Sequence, residues 1–469
     1  MSTLDLLSLH LPYGDRTIKV KAKASGYTDS EYSNTVQYHS APIIAKDTNS
    51  TTAFVISNLR AAVTSYEIYI NGTLHTTVPY SGADGGSMTV ELDDLTDVPE
   101  GSLAITVKGA GQDVEANCSN SISIWYGTAV PIYGVSGLYQ SSPTLTRTDT
   151  AVGMSAVVNS STGAVSSDFD SVFPWSEATV ETINGNKFLH MPDMWFRVGK
   201  DASNRITDVA VSKFEGSDGD WYKVDSFYYS CYGGSVSNSK LASVSGVARQ
   251  GNTTRAQFRT YAAANGSGYH QLDLYHHTVM KFLWLIEWAT KDSASVMPGK
   301  TSATGQSPCN TGGTDSLSTP SGFNTTTQQM RWHYIEDFVG NYLEFVDGAT
   351  GTSGGTAYYV TADPSKFSDS ATGMNTLAYS YPSNASSSNR CVKALGWDAN
   401  NPFLVQPKEQ EGTDYTVYFC DANPASNNVV LYVGASYNSA SAYCGVFYFI
   451  RGNASYSNAN YGARLLYKP

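Results

Sequence analysis

Residues 16–40, RTIKVKAKASGYTDSEYSNTVQYHS, set Ile18, Val20 and Ala22 against Lys19, Lys21 and Lys23. This two-residue alternation is that of a half-buried strand, and a turn and a second strand follow it. Residues 104–126, AITVKGAGQDVEANCSNSISIWY, repeat the pattern. Ile105 and Val107 take the places of Ile18 and Val20, and Cys118-Ser119-Asn120 takes that of Tyr32-Ser33-Asn34. Between the repeats lie short alternating runs, TTAFVISNL, SYEIYIN with Gly72 after it, and SMTVELDD, spaced as the strands of a β-sandwich are. Residues 41–127 are therefore predicted to form one all-β module. Residues 1–40 supply only the closing strands of another, as if the chain began inside a truncated domain.

The pattern changes further on. TTRAQFRTYAAANG opens with Thr253 or Thr254 as a helix N-cap and stops at Gly266, which predicts a short helix. From Asp273 to Lys291 there is neither Gly nor Pro, and Val279, Phe282, Leu283 and Ile286 fall at i, i+3, i+4 and i+7. That spacing predicts the main amphipathic helix. After Asp292, Gly, Ser, Asn, Thr and aromatic residues dominate, with short strand candidates DYTVYF, NVVLYVG and GVFYFI. Helices inside a long β-rich region predict an α+β domain over residues 128–469.

With 469 residues, two or three domains are expected. Charged residues are only 15%, while Tyr reaches 32 and Gly 41, a balance that fits a β-rich extracellular or virion protein rather than a disordered one. The net charge of -12 and the lack of a dense Lys/Arg cluster argue against a nucleic-acid partner. The opening MSTLDLLSLHLPYGD has no basic segment and carries Asp5 in its apolar stretch, so no signal peptide is evident. The strongest apolar run, Phe282–Trp288, is interrupted by Glu287 and far shorter than the roughly 20 residues of a membrane span, so no membrane insertion is expected. Six cysteines lie scattered without CxxC spacing and read as free or buried thiols.

The modules of the N-terminal third resemble immunoglobulin or fibronectin-type repeats of bacterial surface and phage proteins, which implies a spacer role. Within MRWHYIEDFVGNYLEFVDG, residues 330–348, the positions Ile335, Glu336, Asp337, Gly340, Asn341, Glu344, Phe345, Val346, Asp347 and Gly348 resemble a tryptophan-rich signature. It is the IEDLWGNVWEWVDG signature of C-type lectin-like domains of the formylglycine-generating-enzyme type. PWSEATVE, HMPDMWFRV and AQFRTYAAANGSGYHQLD upstream, and VVLYVGASYN and YGARLLYKP downstream, are similar to the same family in the same order. The resemblance covers roughly residues 135–469. It implies that Glu336, Asp337, Gly340, Asn341, Glu344, Asp347, Gly462 and Arg464 brace a scaffold.

Within that superfamily the tail resembles the variable proteins of diversity-generating retroelements, including phage receptor-binding proteins of the major tropism determinant kind. The resemblance implies a variable region over about 427–469, rewritten by adenine-directed mutagenesis, that binds a cell-surface protein or glycan from a phage virion or a bacterial surface. Randomising the two adenines of an AAC codon never yields Lys, Glu, Gln, Met or Trp, and none of the five occurs from Asp421 to Leu466. Tyr, Ser, Gly and Asn also suit a binding surface, since Tyr gives rigid amphipathic contact at low entropic cost. The candidate ligand-binding residues are Ala435, Tyr437, Asn438, Ser439, Ser441, Tyr443, Phe447, Phe449, Arg451, Asn453, Ser455, Tyr456 and Tyr461. In GVFYFIR, alternation then places Phe447, Phe449 and Arg451 outward and Val446, Tyr448 and Ile450 inward.

Enzymes of the resembled fold carry a cysteine pair near the C-terminus; here only Cys444 lies in the tail, and their RGGSW reads VGASY at Val433–Tyr437. No catalytic residue, cofactor or enzymatic activity is expected on that ground. His270, Asp273, His276, His277 and Glu287 have spacings that could place metal ligands on one helical face, but without HExxH a structural role is expected. Asp218-Gly219-Asp220, and Asp337 with Asp347, lack the DxDxDG pattern of a calcium loop. Glu336, Asp337 and Glu344 make a carboxylate cluster of the kind glycoside hydrolysis needs, here assigned to bracing. Two alternatives to a binding protein remain: an oxidase of the formylglycine-generating type, and a fixed tail-tip protein whose aromatic tail is buried in a trimer.

Overall fold

The computed structural model of the protein describes residues 16–18, 36–38, 41–47, 50, 52–61, 63–110, 118–127, 130–140, 142–216, 218–297, 299–302, 305, 307–352, 356–380, 390–411, 418–420, 429–439, 445–447 and 449–469, some strand residues by backbone alone. The chain divides into two compact units, Met1–Val130 and Pro131–Pro469.

In the first unit, strands Ile43–Lys46, Ala53–Leu59 and Gly86–Glu91 form one antiparallel sheet. Thr73–Pro79, Ser65–Ile70, Gly101–Gly109 and Ile122–Tyr126 form a second, in that order. Alternation builds the core between them. Phe54 and Ile56 from one sheet meet Tyr66, Ile68, Ile70, Leu103, Ile105 and Val107 from the other, all buried. The Asn120 side chain completes the edge as a peptide would: its Nδ2 donates to the Ile44 carbonyl (2.8 Å) and its Oδ1 accepts from the Ile44 N–H (2.9 Å). Further upstream, Arg16–Ile18 pairs antiparallel with Val36–Tyr38; Val20, Ala22 and Tyr32-Ser33-Asn34 lie outside the described residues.

The second unit is built on sheets. Among the described residues of the whole chain 42% are in strands and 11% in helices, with only three α-helices. This overturns the α+β expectation: the architecture is all-β. The reason is length. The helices α1 (Arg255–Ala263), α2 (Leu274–Trp288) and α3 (Ser293–Val296) are few and short. The irregular Gly/Ser/Asn-rich stretches, weak in alternation, nonetheless pair into extensive sheets. One sheet orders Thr146–Asp149, Ile132–Ser136, Ile206–Ser212, Met194–Lys200 and Trp221–Val224. Another orders Thr179–Ile183, Asn186–Met191, Phe227–Ser230, Leu465–Tyr467 and Tyr269–Gln271, so the final strand is inserted between two much earlier ones. The largest is centred on Leu343–Gly351, Val429–Gly434 and Phe449–Asn453.

α1 begins after one of the two expected caps, Thr254, and its last residue, Ala263, lies three before the expected stop at Gly266. Thr254 caps α1 in a capping box with Gln257, and Asp273 caps α2 through the His276 N–H (2.9 Å). One feature departs from expectation. α2 is not amphipathic, because every one of its residues except Tyr275 is buried, His276, His277, Lys281 and Glu287 included. It runs through the core, packed on Ile132–Ser136, Ile206–Ser212 and Leu343–Gly351, and is covered on all sides.

Candidate functional site

The signature segment 335–348 supplies a buried ionic brace. Arg464, fully buried, donates from Nε to Glu344 Oε2 (2.6 Å) and from its other nitrogens to the carbonyls of Ser230 (3.3 Å), Glu336 and Asp337 (2.8 Å). The other oxygen of Glu344 accepts from Arg249 Nη2 (2.6 Å), whose guanidinium lies 4.7 Å from the centre of the Tyr342 ring. The Glu336 carboxylate accepts the Gly312 and Thr314 N–H groups (2.8 Å each) and the Thr314 hydroxyl (2.7 Å), clasping a loop. Burial and then the adjacent Glu336 charge push the Asp337 carboxyl up to about 7, although Asn341 (2.7 Å) and Gln329 (3.1 Å) donate to it. Asp347 is paired bidentately with Arg259 (2.7 and 2.8 Å). All of Glu336, Asp337, Gly340, Asn341, Glu344, Asp347, Gly462 and Arg464 are buried.

This brace carries two surface loops. Asn341 accepts at its carbonyl from the Tyr437 N–H (2.9 Å), and the Ser302 N–H donates to the Ser439 carbonyl (2.9 Å). Residues 435–439 are thereby bound to the signature segment. The second loop, 454–461, is held by the Asn252 N–H on the Asn458 carbonyl (2.8 Å) and by the Leu343 N–H on the Asn460 carbonyl (3.0 Å). Asn460 ties the two together, its Nδ2 donating to Ser436 Oγ (3.0 Å) and Asn438 Oδ1 (2.9 Å). Asn438, Ser455 and Tyr456 are exposed, Tyr456 to 52%, while Tyr437, Ser439, Asn453 and Tyr461 are half-buried. The aromatic rings support one another: Tyr437 stands edge-on to Tyr342 (6.0 Å), Tyr456 to Tyr461 (6.4 Å), and Tyr461 stacks on Tyr432 (5.0 Å).

Three candidate surface residues are instead buried: Ala435, Phe447 and Phe449. Ala435 follows Gly434, whose φ of +82° turns the chain inward at the strand end. Residues 445–447 form a turn rather than a strand, so Val446 and Phe447 both point inward and the alternation predicted from Val446 does not begin there. The strand starts only at Phe449, opposite Val433, with the buried Lys281 Nζ 3.9 Å from its ring centre. Ser441, Tyr443 and Tyr448 lie outside the described residues, as do the side chains of Ile450 and Arg451. Sequence reading missed Asn460, Tyr342 and Arg249, of which only Tyr342 lies within the signature segment.

The histidines on and around α2 differ in their partners. Asp273 accepts from His270 Nε2 (3.0 Å) and from His276 Nδ1 (2.8 Å) while capping α2, so its oxygens are fully used. His277 has neither ring nitrogen hydrogen-bonded; burial and then the nearby Lys281 hold it well below the usual histidine range. Glu287 instead meets His333 Nε2 (2.8 Å), with Asp170 Oδ1 3.8 Å from His333 Nδ1. Asp218 pairs with Arg197 (2.6 Å), and Asp337 and Asp347 have separate partners, so neither acidic pair converges. Cys118, Cys231 and Cys309 are free thiols, and burial pushes Cys231 up to about 12. Among the described residues no helix is long and apolar enough to cross a membrane.

No known family model matches this chain, and no curated protein sequence matches it.

Proposed function

We propose that this protein is a ligand-binding protein whose recognition surface is formed by residues 437–439 and 453–461. The observation that carries this reading is the pairing of an exposed Tyr, Asn and Ser surface with a buried ionic brace directly beneath it. Asn438, Ser455 and Tyr456 are exposed and Tyr437 is half-buried on two loops tied together by Asn460. Tyrosine contributes large rigid contacts while serine and asparagine adapt their hydrogen bonds. The brace supplies the rigidity that lowers the entropic cost of binding. Recognition, without bond making or breaking, is the chemistry such a surface performs.

The ligand class we assign is a protein or glycan on a target cell. The restricted residue alphabet from Asp421 to Leu466 supports diversification of this surface by a retroelement, and the resemblance of the tail to such variable proteins supports display on a phage virion or a bacterial surface. Side chains that point to solvent can vary at small cost to stability, whereas those on the brace cannot. The test is binding of the labelled full chain to a panel of intact bacterial cells and to a glycan array. A Tyr437→Ser/Tyr456→Ser double variant is expected to lose at least tenfold in affinity for any target bound, with an unchanged melting temperature. Unaltered binding by that folded variant would rule out this surface as the recognition site.

A further inference from the structure

Strands Met330–Trp332 and Ile335–Glu336 are joined by two residues, His333 and Tyr334, with φ of +43° and +66°. Two-residue hairpin connections with both φ positive are usually filled by Asn-Gly, because a β-carbon is unfavourable there. Placing a histidine and a tyrosine there costs stability and presents both rings in fixed directions. His333 is buried, Tyr334 is partly exposed, and both line a cavity of about 200 Å³ together with Asp170, Trp175, Ser176 and Leu189.

The chemistry at one wall of this cavity is unbalanced. Glu287, fully buried on α2, accepts from His333 Nε2 (2.8 Å) and Trp332 Nε1 (2.7 Å) through one oxygen and from the Ser167 hydroxyl (2.9 Å) through the other. A carboxylate at Nε2 fixes the proton on that nitrogen and leaves Nδ1 of a neutral imidazole with a lone pair. Nδ1 faces Asp170 Oδ1 at 3.8 Å, too far for a hydrogen bond, and that oxygen is buried with no hydrogen-bond partner. Two lone-pair atoms thus face each other across a gap.

We propose that this cavity binds a divalent transition-metal cation of the Zn²⁺ class, coordinated by Nδ1 of His333 and a carboxylate oxygen of Asp170, with Glu287 positioning the imidazole. Two bonds of roughly 2.0–2.2 Å span the 3.8 Å gap at a bent angle of about 130°. The Glu287–His333–metal relay is the outer-sphere arrangement that orients histidine ligands in metal sites. Imidazole nitrogen with one carboxylate favours Zn²⁺, Co²⁺ or Ni²⁺ over Mg²⁺ and Ca²⁺. The remaining coordination positions open onto the cavity, where water or a small anionic ligand completes the shell. By contrast, the His270, Asp273 and His276 group has its carboxylate oxygens already engaged. The site shares no residue with the tyrosine surface, so the two readings stand or fall separately.

The test titrates the chelator-stripped full chain with Co²⁺, read by visible absorption, and then displaces it with Zn²⁺. One Co²⁺ per chain is expected. Asp170→Asn and His333→Gln should each weaken binding at least tenfold, and Glu287→Gln by about 10–100-fold, while His276→Gln leaves it unchanged. Asp170 is 31% exposed at its side chain, so Asp170→Asn is the variant expected to fold normally, checked by its melting curve. The proposal is overturned if folded Asp170→Asn binds as tightly as the parent, or if His276→Gln abolishes binding. No uptake by the parent at free metal up to about 1 mM overturns it equally.

Discussion

Replacing Glu344 by glutamine tests the brace. The Glu344 carboxylate is 5% exposed and sits between two guanidinium groups whose side chains are completely buried, accepting at 2.6 Å from Arg249 and at 2.6 Å from Arg464. Glutamine keeps the volume, so no cavity adds to the effect. It removes the charge and offers an NH₂ group to one of the arginines in place of an acceptor. Breaking a buried pair by neutralising one partner typically costs about 3–5 kcal/mol, because the remaining charge is left uncompensated. Two arginines are affected here, which places the expectation at the upper part of that range. The assay is urea unfolding followed by tryptophan fluorescence, since Trp284, Trp332 and Trp397 are buried in the second unit. The control Tyr456→Ser, at an exposed position, should stay within about 0.5 kcal/mol of the parent. A loss below about 1 kcal/mol for Glu344→Gln would refute the brace as the element that holds residues 335–348 to the final strand.

Three further outcomes follow from particular groups. The Asp337 carboxyl, raised to about 7, holds its proton more tightly folded than unfolded, where aspartate titrates near about 4. Its contribution to stability is therefore fully present below about pH 4 and is lost as pH rises to about 7. Asp337→Asn should flatten the unfolding free energy across that window, and equal slopes in parent and variant would contradict it. In the first unit, Asn120→Ala removes both bonds to Ile44 and should lower that unit's stability by about 1–3 kcal/mol in a thermal melt. Thr254→Ala, which breaks the capping box of α1, should cost about 1 kcal/mol in urea unfolding; no change would mean that packing alone defines that helix start.

What could be read from the sequence was local. Alternation in AFVISNL and SYEIYI marks the inward residues Phe54, Ile56, Tyr66, Ile68 and Ile70, because a sandwich strand has one buried face. The start of α1 could be read to within one residue, Thr253 or Thr254, because a cap needs a particular side chain at a particular step, and the start of α2 near Asp273 from the absence of Gly and Pro after it. The burial of α2 on every side could not, since a 3.6-residue period identifies an apolar face but does not reveal that Lys281, His277 and Glu287 are also enclosed. The α+β expectation failed for a related reason: two clear helical patterns outweighed many short strands whose Gly/Ser/Asn-rich sequences alternate weakly. At the surface, composition marked the tail, but a turn at 445–447 broke the phase from which Phe447 and Phe449 were placed outward. The cavity site depends on contacts across long separations, such as Ser167 with Glu287, 120 residues apart, which no local spacing encodes.

The proposed function puts recognition on the loop positions and stability in the brace beneath them. Sequencing this locus across a natural population tests that division. Substitutions are expected to concentrate at Tyr437, Asn438, Ser439, Ser455 and Tyr456, drawn from residues that adenine replacement can produce, with Ala435, Phe447, Phe449, Glu344 and Arg464 unchanged. Substitutions spread evenly along the chain, or concentrated at the buried positions while Tyr437 and Tyr456 stay fixed, would contradict it.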